Sequence, residues 1–205
     1  MPGHGPSWAD PGSSDTLRGA KPAGGVDPNH PHLFHLSDAP ANVFDGGGLQ
    51  GAHGENWPIL RGQQGATYIA RLKPGGVREP HWHPSAWEMN FVMQGRARWT
   101  FVGPEATQDS FEAGKGDVVF APQGHFHYFE NASGAGDPGA EDLVVLITFN
   151  SSSTEPGDDI GIVHSLKAMP PAALAAVFGG TPETFAALPG KLGRVVIASK
   201  RKEGA

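Results

Sequence analysis

His81 and His83 stand two positions apart, Glu88 follows five positions after His83, and His127 lies further along the chain. Three imidazoles and one carboxylate form a donor set for a divalent metal, and an octahedral ion so held keeps two positions for substrate or dioxygen. The set does not discriminate manganese from iron. Residues two apart on a strand face one side, so His81 and His83 can point together. Glu88 opens Glu-Met-Asn-Phe-Val-Met, whose alternation turns Glu88, Asn90 and Val92 inward and sends Met89, Phe91 and Met93 toward a second layer. His127 begins a strand after a Pro-Gly turn. Asn90 is therefore a candidate pocket group, the alternative being a buried amide bonded to backbone. Trp99, Phe120 and Phe129 read as core residues that would keep such a site dry.

The elements that must position these residues are short and β-rich. The chain has 205 residues, enough for one buried core, and its 30 Gly and 19 Pro favour a barrel or sandwich over a helix bundle. Apolar runs near 67–72, 87–93, 97–102, 110–112, 118–121, 126–130 and 143–149 read as strands. Lys73-Pro74-Gly75-Gly76, Gly95, Gly103-Pro104, Gly114-Lys115-Gly116 and Pro122-Gln123-Gly124 punctuate them as turns. No repeat occurs, so one barrel domain is expected over 29–199, with its core near 66–150.

Residues 1–28 read as a flexible Pro/Gly-rich arm, 32–45 as one edge strand, and Gly46-Gly47-Gly48 as a loop. Residues 150–159 suit a mobile lid. Pro and Gly bracket short C-terminal helices within 171–188, a final strand is expected over 194–198, and 200–205 is a polar tail.

Composition excludes several classes. The net charge is −6 and the only basic run is Lys200-Arg201-Lys202, so no nucleic-acid partner is expected. With no cysteine there is neither a disulfide framework nor a thiolate site. No apolar stretch suits a bilayer span and the N-terminus does not resemble a signal peptide, so no membrane association and a cytoplasmic location are expected. His30, His32 and His35 also cluster, but in a Pro-rich stretch that argues against a built site.

A His-x-His pair alone is a weak signal; the complete pattern is specific. Gly75, five residues, His81-x-His83, four residues, Glu88, six residues and Gly95 form one half. Gly116, five residues, Pro122-x-Gly124, two residues, His127, three residues and Asn131 form the other. The two halves resemble the paired signature motifs of the cupin family at every defining position. That resemblance implies an all-β cupin fold, a double-stranded β-helix or jelly-roll barrel, with short C-terminal helices. It also implies His81, His83, Glu88 and His127 as metal ligands. The stretch from Arg71 to Pro84 is similar to the oxalate decarboxylase branch, whose members carry two barrels where this chain carries one.

The likeness implies manganese, with iron as the alternative, dioxygen as co-catalyst or co-substrate, and oxalate as the small carboxylate. It implies that Arg78 binds the substrate carboxylate, and that the chain forms a homo-oligomer. The branch's Ser-Glu-Asn-Ser-Thr lid, whose glutamate handles the proton, is not present. Glu155 is the nearest candidate acid, with Asp158 and Asp159 just beyond. Without a proton donor the outcome would shift toward oxalate oxidation, and a metal used only as a structural strut is the third reading.

Overall fold

A computed structural model describes residues 24–154, 157, 159–188 and 195–200. The described chain starts with β1 (Gly25–Val26), β2 (Phe34–His35), β3 (Asn42–Phe44) and β4 (Gly47–Ala52). It continues through β5 (Ala66–Leu72), β6 (Gly76–Trp82), β7 (Glu88–Gln94), β8 (Arg96–Val102) and β9 (Gln108–Gly114). Then come β10 (Val118–Ala121), β11 (Phe126–Asn131), β12 (Leu143–Phe149) and β13 (Ile160–Gly161). Three short helices follow, α1 (Ile162–Ala168), α2 (Pro171–Phe178) and α3 (Pro182–Ala186), before β14 (Ile197–Ser199).

Among the described residues two six-stranded antiparallel sheets face each other across one core. Their orders are β10-β7-β12-β5-β4-β3 and β13-β6-β11-β8-β9, with β14 beside β6. This is a jelly-roll barrel with short C-terminal helices. Period-two alternation fills its inside: along β7, Glu88, Asn90 and Val92 are buried while the residues between them are exposed. Leu72, Val92, Trp99, Phe129, Leu143 and Val145 are buried at its centre.

Several expectations need correction. Gly47 and Gly48 are not loop but part of β4, which pairs with β5 along its length. A Cβ on Gly51 would collide with the Tyr68 ring, so glycine there permits close packing of the two strands. Residues 25–27, expected within a flexible arm, are built into the fold: Gly25–Val26 pairs with Phe34–His35 and Asp27 bonds His35. Residues 1–23 lie outside the described residues. Among the described residues Met89, Phe91 and Met93 meet no second layer and are 43%, 42% and 41% exposed, while Phe120 is 48% exposed instead of core. The strand Gly76–Trp82 and helix α1 add to the elements expected. The Arg194 end of the expected last strand and residues 201–205 lie outside the described residues.

Candidate metal centre

Each expected ligand sits where an inward strand position meets a turn. His81 is near the end of β6, His83 just beyond it, Glu88 opens β7, and His127 is the second residue of β11. β11 pairs with β6 so that His127 lies opposite His81, which joins the two halves of the sequence pattern. The four donor atoms lie within 4.8 Å of one another and all four residues are buried. Glu88 Oε2 is 3.1 Å from His83 Nε2, 3.4 Å from His127 Nε2 and 3.9 Å from His81 Nε2.

Two imidazoles are oriented from behind. His81 Nδ1 lies 2.7 Å from the Glu79 carbonyl oxygen, and His127 Nδ1 lies 2.8 Å from that of His125. A carbonyl only accepts, so each ring donates from Nδ1–H and turns the Nε2 lone pair toward the centre. Burial, with the Arg78 charge adding to it, pushes His81 down to about 3, which keeps the ring neutral and able to ligate. Burial pushes Glu88 up, but the imidazoles of His127, His81 and His83 around its carboxylate together hold it well below the usual carboxylate range. His127 Nε2 and Glu88 Oε1 are buried without a hydrogen-bond partner, and an ion among the four donors would satisfy both. The donor set fits a divalent metal.

The walls are aromatic. Trp99 stacks on Phe129 at 4.4 Å, Phe101 stacks on His127 at 5.6 Å, and Phe149 meets His83 edge-on at 4.9 Å. Such walls exclude water and strengthen every charge inside.

Arg78 reaches the same face of the barrel through a defect in pairing. His127 and Phe129 are two apart on β11, yet their partners His81 and Arg78 are three apart on β6. The extra residue is a β-bulge at Glu79–Pro80, where Pro80 has no N–H for the ladder. Without the slip, three residues of separation would put Arg78 and His81 on opposite faces. Arg78 is 2% exposed and its Nη2 pairs with Asp159 Oδ2, while its Nη1 is 3.7 Å from Glu79 Oε1.

Asn90 is fully buried beside Glu88 on β7, and neither its Oδ1 nor its Nδ2 has a hydrogen-bond partner. Among the described residues, then, the amide is not bonded to backbone. Glu155, the expected acid, and Asp158 lie outside the described residues. The start of the expected lid is tied down: Asn150 Oδ1 accepts from Trp87 N, Ser152 O from Gly54 N, and Ser153 O from the Tyr68 hydroxyl. Asp159, which follows Glu155 by four positions, is brought to Arg78 across 81 positions of chain. Glu79 was not foreseen; burial pushes its carboxyl up, with Arg78 opposing and Asp159 reinforcing the shift. The Glu79-Pro80 step before His81-x-His83 offers no local signal for that placement. Of His30, His32 and His35, the last is paired with Asp27, and among the described residues His81, His83, Glu88 and His127 are the one group placed to hold a metal.

A jelly-roll barrel enclosing three histidines and one glutamate defines a mononuclear metal-binding protein of the all-β class. The Cupin family model matches residues 35–185, and the chain belongs to the cupin family. Among curated relatives, oxalate decarboxylase of Arthroderma benhamiae is 38% identical over 127 residues, covering 61% of this chain and 28% of its own length. Oxalate decarboxylase OxdC of Bacillus subtilis is 32% identical over 158 residues, covering 77% of this chain and 38% of its own length. Germin-like protein subfamily 2 member 3 of Arabidopsis thaliana is 30% identical over 156 residues, covering 75% of this chain and 68% of its own length. The chain thus spans less than half the length of these decarboxylases. A solved structure of the B. subtilis oxalate decarboxylase superposes with a TM-score of 0.69 at 28% identity, covering 83% of this chain and 41% of that one. Another structure of that enzyme concerns its Mn(II) centres.

Proposed function

We propose that this chain is a manganese-dependent enzyme that converts oxalate to formate and carbon dioxide. One observation carries the reading: the bulge at Glu79–Pro80 sets the Arg78 guanidinium on the same barrel face as the four metal ligands. A dicarboxylate two carbons long suits a site that presents a metal and a guanidinium together. The relatives named as oxalate decarboxylases and the Mn(II) centres of the B. subtilis enzyme support oxalate and manganese.

His81, His83, Glu88 and His127 would hold the ion, which when bound supplies Lewis acidity and one-electron chemistry, with dioxygen as co-catalyst. Arg78 pairs with a substrate carboxylate and offsets its charge. Asn90 offers a donor and an acceptor with no protein partner to lose. Trp99 and Phe129 keep water from the cleaved carbon. In hydrogen oxalate the carbon–carbon bond breaks, carbon dioxide leaves, and a proton forms the new C–H bond of formate. Glu155 is our candidate for the group that handles that proton.

A second reading is favoured by the altered lid sequence and by the germin-like relative. Oxalate with dioxygen and two protons would give two carbon dioxide and one hydrogen peroxide, or an iron form of the site would oxidise another small carboxylate or enol. Incubating the metal-loaded protein with oxalate and assaying formate and peroxide separates the two. Formate supports the first reading and peroxide the oxalate-oxidising form of the second; with neither product the oxalate assignment falls, and oxidation of another small carboxylate or enol and a metal used only as a structural strut are the readings that stand.

We further propose a cytoplasmic homo-oligomer. Met89, Phe91 and Met93 on β7 and Val118 and Phe120 on β10 form an exposed apolar strip, which a second copy would cover. Sedimentation that finds only monomers would remove this part.

A further inference from the structure

Asp159 has a carboxylate where a substrate's carboxylate is expected. Its side chain is fully buried although its backbone is partly exposed, and Oδ2 pairs with Arg78 Nη2. Its other oxygen, Oδ1, is buried with no hydrogen-bond partner. A guanidinium is suited to gripping a carboxylate by both oxygens, so this is a one-sided hold. The segment that carries Asp159 joins the sheet through β13, two residues long, paired with Trp82 and His81 at the sheet edge. Gly161 in that strand packs closely on the Glu79 carboxyl, which would have to shift to admit a Cβ there.

We infer that Asp159 is a specificity-determining residue: it holds Arg78 in the absence of substrate, and a substrate carboxylate gains the guanidinium only by displacing it. The inference rests on the reading of Arg78 as the substrate-facing arginine. An intramolecular carboxylate competes at high effective concentration, so a single carboxylate offered to Arg78 alone exchanges like for like and gains little. An anion with a second carboxylate on the neighbouring metal has a further interaction to drive the exchange. Asp159 thereby selects small two-headed anions.

The test is calorimetric titration of the metal-loaded full chain with oxalate and, separately, with acetate. Wild type is compared with Asp159→Asn, which keeps shape and removes charge, with Asp159→Ala, and with Arg78→Ala alone and in combination. Metal content and circular dichroism establish that each variant is folded and loaded. Asp159→Asn should bind oxalate about tenfold more tightly, the factor imposed by a pair closed roughly nine times in ten. Adding Arg78→Ala should abolish that gain. Acetate, which is no candidate substrate, separates two failures: a gain for acetate without one for oxalate keeps the role of Asp159 and removes oxalate. Equal or weaker binding of both anions by both Asp159 variants overturns the inference, and Asp159 then only orients Arg78.

Discussion

Arg78 and His81 lie three residues apart on one strand yet face the same side of the barrel. Their partners on β11, Phe129 and His127, are only two residues apart. Glu79 and Pro80 absorb the extra residue, and burial of both Arg78 and Glu79 marks the change of phase. The fold thereby sets a fixed cation beside a metal centre, an arrangement a regular strand cannot provide.

If that cation stabilises charge in the transition state, Arg78→Ala should lower kcat/KM for oxalate by about a hundredfold or more. Metal content should stay at the wild-type level, because Arg78 is not a ligand. Kinetics with elemental analysis on one preparation checks both, and unchanged turnover would remove Arg78 from the mechanism.

Asn90 gives a sharper contrast between structural and functional roles. Among the described residues its amide finds no hydrogen-bond partner, so Asn90→Ala should cost less stability than the ~1–3 kcal/mol of a broken buried bond. KM for the substrate should rise. A large loss of thermal stability with unchanged KM would assign Asn90 to packing.

The ligands and the turns around them were legible in the sequence because both are local: a His-x-His spacing, a Pro-x-Gly turn and an alternating strand act within a few residues. The barrel followed from the spacing of those turns. β4 was hidden because glycines signal turns, whereas here Gly51 makes room for the Tyr68 ring. The exposed faces of Met89 and Phe120 were misjudged because apolar alternation does not reveal what covers a sheet. The contact of Asp159 with Arg78 spans 81 positions. No spacing rule reaches that far.

Metal removal should show in stability as well as activity. An ion that binds only the folded chain adds about 2.7 kcal/mol when it is a hundredfold above its Kd. Chelation should therefore lower Tm, and His127→Ala should lose most of the metal and most of the Tm response to chelator. A His127→Ala protein with full metal content would contradict the ligand assignment.

The metal-free protein should weaken in acid. His81 is held down to about 3 when folded, against an ordinary value of 6.5. Between these values the unfolded chain binds the extra proton, so stability falls as pH drops from about 6.5 toward 3. One such group contributes a slope of up to ~1.4 kcal/mol per pH unit. Urea unfolding across that window, with His81→Gln as the comparison, reads it directly. An identical pH dependence in the variant would exclude His81 as the source.

Trp99 supports both the core and the His127 wall, fully buried and stacked on Phe129. Trp99→Ala should cost about 3–5 kcal/mol. Denaturant unfolding of the metal-free form keeps this effect separate from ligand binding, and a loss below 1 kcal/mol would mean the barrel interior collapses around the gap.

The central claim, a manganese site that cleaves oxalate, is tested most directly by one measurement. The protein is purified and its Mn, Fe, Ni and Zn are quantified, after which it is incubated with oxalate at mildly acidic pH while formate and peroxide are assayed. The account predicts manganese near one per chain, with formate as the product. A fully metal-loaded protein that yields neither formate nor peroxide would contradict it.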